Sequence, residues 1–146
     1  MKKVGLILTA GIFLLLNSES VLGCVCVPAT IPQKIEQAQS VFAGRVVGRT
    51  ATQIRFKVQK TWKGALYSEI SLYAGNKVIT SCDVSFKNGE IYLVYASTSS
   101  PGNKLETNQC SGTKELASAA DDLKILGKGK PPPRRKMSRI HKRRSH

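Results

Sequence analysis

Four cysteines, at positions 24, 26, 82 and 110, constrain the fold of this chain more than any other feature. An even number of cysteines in a small exported chain is typical of a disulfide framework. Cys24 and Cys26 are separated only by Val25, so a bond between them would be strained. We therefore expect each to bond forward, one to Cys82 and the other to Cys110. Closing each of these loops would contribute about 4 kcal/mol to the stability of the fold. The alternative, a four-cysteine zinc site, usually requires C-x2-C pairs, which this chain lacks.

The first 23 residues have the organisation of a secretory signal peptide. Two lysines are followed by an apolar run at 4–16, and Gly23 supplies the small residue that a cleavage site requires. The run is 13 residues long, which is too short to span a bilayer as a helix. We predict a signal peptide at 1–23, a mature chain that begins at Cys24, and secretion to the extracellular space. The alternative is a buried hydrophobic helix.

Positive charge is concentrated at the C-terminus. The chain has a formal net charge of +14, and residues 128–146 contain 9 Lys/Arg and no acidic residue. This segment has too few apolar residues to offset its ordering entropy, so we predict a disordered basic tail at 128–146 and one folded domain at 24–127. The tail would attract polyanions, and we expect it to hold the protein at an anionic cell-surface polymer. The mature chain has no apolar segment long enough to cross a membrane.

The folded part has mostly the pattern of strands. Thr30 to Gln33 has the sequence of a helix start, with a Thr cap, a proline in the first turn and a Gln three residues later. Residues 54–59 alternate between apolar and polar, which predicts a strand with one exposed face. Residues 116–123 have helical spacing, and Gly127 can end that helix. A short helix, about five strands and a final helix predict a small closed or nearly closed barrel.

The mature N-terminus, Cys24-Val25-Cys26-Val27-Pro28, resembles that of the tissue inhibitors of metalloproteinases, which begin Cys-x-Cys-x-Pro after signal cleavage. The similarity covers residues 24–126. The further segments that resemble this family and its netrin-like domain are Gln39 to Val47, Phe56 to Gly64 with its V-x-K-x-[aromatic]-K-G pattern, Ser81-Cys82, Asn88 to Ala96, and Thr107 to Cys110.

The resemblance implies a mainly β fold: a small, five-stranded, netrin-like OB-fold barrel with a short N-terminal helix, a C-terminal helix, and bridges Cys24–Cys82 and Cys26–Cys110. It also implies a secreted inhibitor of zinc metalloproteinases. The amine and carbonyl of Cys24 would chelate the catalytic zinc, which belongs to the target protease, and the chain itself would need no cofactor. The residues implied to contact the protease are Cys24, Val25, Cys26, Val27, Pro28, Thr80 and Ser81.

Three features depart from the family pattern. This chain has four cysteines where the animal inhibitors have six in this domain, the basic tail stands in place of their second subdomain, and Val25 replaces their usual Thr or Ser. Netrin-like domains also occur in proteins that inhibit nothing, so a non-inhibitory extracellular binding domain is the alternative function. Ser20 to Cys24 also partly resembles a bacterial lipobox, which would make the protein a membrane-anchored lipoprotein through Cys24.

No enzymatic site is expected. Both histidines, His141 and His146, lie in the tail, which excludes a Cys/His or Ser/His/Asp site inside the folded domain. Asp121 and Asp122 are adjacent, and we interpret them as part of a solvated helix face. A barrel with a basic tail could bind single-stranded nucleic acid, but export argues against a nucleic-acid partner.

Overall fold

The computed structural model describes residues 23–64, 67–74, 81–99 and 102–134. The predicted leader up to residue 22, the tail beyond residue 134, and the predicted contact residue Thr80 lie outside these ranges. The helices and strands found within them are α1 (Ile31–Gln37), β1 (Ser40–Arg49), β2 (Gln53–Lys63), β3 (Glu69–Tyr73), β4 (Ile91–Ser99), β5 (Lys104–Glu106), β6 (Lys114–Glu115) and α2 (Ala120–Leu126).

The strands form one curled antiparallel sheet. Its order is β3-β2-β1-β4-β5, and the two-residue β6 pairs with β4. Three register shifts between β1 and β2 mark bulges, which increase the twist of the sheet. The curl brings the outer strands together, because the Lys104 Nζ of β5 lies 4.3 Å from the ring centroid of Tyr73 in β3. The prediction of a small, mainly β, disulfide-bonded barrel of the OB type with two helices is confirmed.

The start of α1 follows from its local sequence. Thr30 Oγ1 accepts a hydrogen bond from the Gln33 backbone N–H, and Gln33 Oε1 accepts one from the Thr30 backbone N–H at 2.8 Å. This is the capping box that the sequence predicts. The other end of the helix is tied to the sheet, because Lys63 Nζ donates to the carbonyl oxygens of Ile35 and Glu36, both at 2.8 Å.

Two apolar clusters hold the fold together. Aromatic rings fill the barrel interior, where Phe42, Phe56, Phe86 and Tyr92 make successive edge-to-face contacts with centroids 4.8 to 5.7 Å apart. The second cluster lies outside the sheet, between β1, β4 and the two helices. Because both faces of β1 and β4 are buried there, these strands provide a firm base for the segments attached to them.

Helix α2 is fixed by a buried carboxylate. Asp122 is only 2% exposed, and it accepts hydrogen bonds from the Tyr95 hydroxyl at 2.8 Å and from Lys114 Nζ at 2.7 Å. The interpretation of both aspartates as a solvated helix face is therefore wrong for Asp122, although Asp121 is exposed. A buried charge needs such partners, and they connect α2 to β4 and β6.

The sheet contacts continue past the predicted domain boundary at Gly127. Lys130 pairs with Thr61 in β2 through two backbone hydrogen bonds of 2.8 Å. Gly129 lies against the Trp62 indole so closely that an added Cβ would be 2.8 Å from a ring carbon. Among the residues that the structure describes, the last one that pairs with the sheet thus lies three positions after the predicted boundary. Within the described ranges, no helix combines the length and hydropathy that a membrane crossing needs.

Candidate functional site

Residues 24–28 form an irregular segment, which we call the N-terminal strap. Two disulfides attach it to the barrel, Cys24–Cys82 with a Cα–Cα distance of 5.0 Å and Cys26–Cys110 with one of 5.2 Å. These are the same pairs that the family resemblance implies. Because the two attachment points are only two residues apart, Val25 between them has little backbone freedom.

Apolar side chains of the strap point into solvent. Val25 is 93% exposed and Val27 is 86% exposed, the highest values among the large hydrophobic residues of the described chain. Pro28 is also exposed. Its ring restricts Val27 to extended geometry. Exposed apolar side chains on a firmly attached backbone are typical of a binding surface rather than of a folding core.

The two anchor points form one platform. The Gln109 backbone N–H donates to the Cys82 carbonyl at 2.9 Å, so the segments that hold the two bridges are joined directly. Cys110 lies in a short 3-10 turn at Gln109–Ser111, where the Asn108 side chain accepts from the Ser111 backbone N–H at 3.0 Å. Movement of one anchor therefore requires movement of the other.

Hydroxyl groups connect this platform to the barrel wall. Thr107 Oγ1 donates to the Tyr95 carbonyl of β4 at 2.7 Å. It also lies 2.7 Å from the hydroxyl oxygens of Ser111 and Thr113. The Thr113 hydroxyl accepts from the Tyr95 backbone N–H at 2.9 Å, so the Cys110 turn is attached to the most deeply buried strand.

The sulfur atoms of the two bridges are neighbours. Cys24 Sγ lies 3.6 Å from Cys110 Sγ, and the sulfurs of Cys24, Cys26 and Cys110 all lie within 4.8 Å of one another. This grouping follows from two adjacent disulfides. Every described cysteine is disulfide-bonded, so the site presents no thiolate to a metal, and the short sulfur contact is one of van der Waals type.

A cleft opens beside the Cys82 anchor. Its volume is about 400 Å³, and it lies between the end of β3, residues 82–86 and residues 106–111. The floor is formed by the apolar side chains of Ile54, Leu72 and Phe86. The sequence did not indicate this cleft, because its walls come from segments far apart along the chain. Of the two predicted additional contacts, Ser81 is exposed next to Cys82, and Thr80 is outside the described residues.

The strap offers one clear piece of chemistry. If the chain begins at Cys24, that residue has a free α-amine and a carbonyl oxygen one chelate ring apart, and a catalytic zinc keeps one coordination position open for such ligands. A scan against protein-family models finds no match, and a search of the curated proteins finds no similar sequence.

Proposed function

We propose that this protein is a secreted inhibitor of zinc metalloproteinases, and that the amine and carbonyl of Cys24 chelate the catalytic zinc of the target. The observation that carries the proposal is the pair of exposed valines, Val25 and Val27, on a backbone held by two disulfides. The zinc belongs to the protease, and this chain contributes only the two ligand atoms.

Rigid attachment supports this function energetically. Binding normally costs ordering entropy for each flexible residue at an interface. The two bridges and the Gln109–Cys82 hydrogen bond limit the strap before it meets a partner. Little conformational freedom is then left to lose, and more of the interaction free energy is available as affinity.

The exposed valines suit a protease cleft. Once the Cys24 atoms are on the zinc, Val25 would enter the first primed-side pocket, and Val27 and Pro28 would continue along the cleft in extended form. The 93% exposure of Val25 means that almost its entire side-chain surface is available for burial by a partner. Burial of a valine side chain contributes about 1.5 to 3 kcal/mol.

The proposal is tested first on the N-terminus and then on inhibition. Mass spectrometry of the exported protein should show a chain that starts at an unmodified Cys24 with both disulfides formed. A lipid thioether needs the Cys24 sulfur that the bridge to Cys82 also needs, so a lipidated Cys24 would exclude this bridge and contradict the proposal.

Inhibition is then measured against catalytic domains of zinc endopeptidases with a fluorogenic peptide. One alanine added before Cys24 should weaken inhibition at least about 100-fold, equivalent to ~2.8 kcal/mol, because the chelating amine is displaced. One alanine added after His146 is the matched control and should change nothing. If the N-terminally extended protein inhibits as well as the native one, chelation by Cys24 is wrong and the alternative, a non-inhibitory binding domain, is favoured.

A further inference from the structure

Four exposed cations lie together on the outer face of β1 and β2: Arg45, Arg55, Lys57 and Lys60, which we call the basic strip. Arg45 is the direct cross-strand partner of Lys57, so their side chains share one face of the sheet. Lys60 pairs with Ala43, two residues before Arg45, and Arg55 pairs with Gly48 across a bulge. The strip is thus a property of the folded barrel and is separate from the tail.

The charges of the strip are available for binding. The two ion pairs found in the described residues are Lys87–Glu115 and Lys114–Asp122, and neither includes a member of the strip. One acidic residue, Glu69 of β3, lies opposite Lys57 and partly offsets its charge. The four positive charges therefore outnumber the nearby carboxylates, which are Glu69 and the exposed Glu90 next to Ile91, the cross-strand partner of Arg45.

Glycine shapes the same surface. A Cβ built on Gly48 would lie only 2.7 Å from a guanidinium nitrogen of Arg55, so the Arg55 side chain extends across β1 where that strand has no side chain. Arg45 is held more firmly, because its guanidinium donates to the Gly89 carbonyl. The strip therefore presents its charges across two strands rather than along one.

The C-terminal segment adds charge at the edge of β2, where Lys130 shares the strand face of Thr61, opposite to that of Lys60. The antiparallel pairing of Lys130 with Thr61 places Lys130 at the edge of β2, beyond the part that β3 covers. Lys128, Lys130 and Arg134 are all exposed. Since the pairing is antiparallel, the residues after Lys130 are directed back toward the Lys57 end of β2.

We propose that the basic strip, extended around the edge of β2 by residues 128–134, binds a linear polyanion with repeated sulfate or phosphate groups. Charges on one strand face repeat about every 7 Å, and neighbouring strands are about 5 Å apart, so an extended polymer can meet several of them at once. Tyr67 is the one exposed aromatic residue in the described part of the chain, and the Trp62 ring is covered by Gly129, which disfavours base stacking. The proposal goes beyond the metalloproteinase site and assigns part of the polyanion binding to the barrel.

The test compares two triple variants of the full-length chain. R55Q/K57Q/K60Q removes three strip charges, and K87Q/K104Q/K124Q removes three exposed charges elsewhere, so both have the same net charge. Binding to heparin and to long-chain polyphosphate is measured over a series of NaCl concentrations. We expect the strip variant to bind about 10- to 50-fold more weakly than the native protein. The slope of log K against log NaCl concentration should also be smaller by about 2 for this variant. The affinity of the control variant should remain within about threefold of that of the native protein. Whichever of the two polymers binds more tightly identifies sulfate or phosphate as the preferred group.

Equal losses in the two triple variants would overturn the proposal, because net charge alone would then explain binding. Tighter binding of a mixed-sequence single-stranded oligonucleotide than of either polymer would also overturn it, because the bases would then contribute. If the triple variant is unstable, the single variant K57E replaces it in the binding assay, after its unfolding temperature has shown that it is folded. The native inhibition of zinc endopeptidases is expected in all these variants, so failure of this proposal and failure of the inhibitor proposal are distinguishable.

Discussion

Removal of the Cys26–Cys110 bridge by C26A/C110A tests how much each disulfide adds to the free energy of unfolding when the other is present. The bridge joins residues 84 positions apart, but the Cys24–Cys82 bridge shortens the path between them. With that bridge in place, the connecting ring contains only about 30 residues, because the path runs through residues 24–26 and 82–110.

The magnitude follows from the length of this ring. In the chain-entropy relation, a ring of about 30 residues corresponds to about 3.6 kcal/mol, whereas an independent loop of this bridge's own length would correspond to about 4.6 kcal/mol. The C24A/C82A variant opens the same ring from the other side. We therefore expect both single-bridge variants to lose about 3.6 kcal/mol of unfolding free energy, and the variant without either bridge to lose about 8 kcal/mol.

The assay is urea unfolding at 25 °C without reductant, with linear extrapolation of the free energy to water. The comparison between the two single-bridge variants controls for the loss of two sulfur atoms and for the extra chain freedom at the strap. A difference of more than about 1 kcal/mol between them would refute the shared-ring reasoning, since it would mean that local packing at one bridge dominates.

Three further predictions concern single side chains. V25A should weaken inhibition about 15-fold, because the two carbons that it removes correspond to ~1.6 kcal/mol when they are buried by the protease. The control is V47A, at a valine of the barrel that is 40% exposed, and it should leave inhibition unchanged. Equal effects of the two substitutions would contradict a contact between Val25 and the protease. D122A should lower the unfolding free energy by about 3 kcal/mol, because it leaves the Tyr95 hydroxyl buried without an acceptor. The control D121A, at an exposed position, should change the unfolding free energy by no more than about 0.5 kcal/mol. A loss below about 1 kcal/mol for D122A would contradict the role of Asp122 in fixing α2. Burial raises the pKa of Tyr95 above its ordinary value of 10.0, and the hydrogen bond to Asp122 and the charge of Asp122 raise it further. As the pH rises, the unfolded state therefore loses the Tyr95 proton before the folded state does. The free energy of unfolding should then fall by about 1.4 kcal/mol per pH unit above pH ~10. Urea unfolding of the native protein and of Y95F across this range measures the effect, and identical pH profiles would contradict it.

Local signals in the sequence predicted the parts of the fold that depend on neighbouring residues. The capping box of α1 joins residues three apart, so the pattern from Thr30 to Gln33 was sufficient to predict it. The alternation in β2 also holds, because residues 54, 56 and 58 are buried and residues 55, 57 and 59 are exposed. These features need no knowledge of distant segments.

Features that depend on distant contacts could not be predicted in this way. Asp122 is buried only because Tyr95 and Lys114 reach it from two strands of the sheet. The pairing of Lys130 with an edge of β2 that β3 leaves open also gave no signal in the sequence. For the strap, the residues alone left the disulfide pairing open, and the resemblance to a known family supplied it.

The connectivity of the bridges has a consequence for biosynthesis. Cys24 and Cys26 are made early, but Cys110 follows 84 residues after Cys26, which corresponds to about 4 to 17 s at common rates of synthesis. Cys82 emerges before Cys110, so either early cysteine can meet it first, and a bond from Cys26 to Cys82 would have to be exchanged afterwards. The strap is therefore the first part of the folded domain to be synthesised, and its second bridge cannot form until Cys110 has emerged.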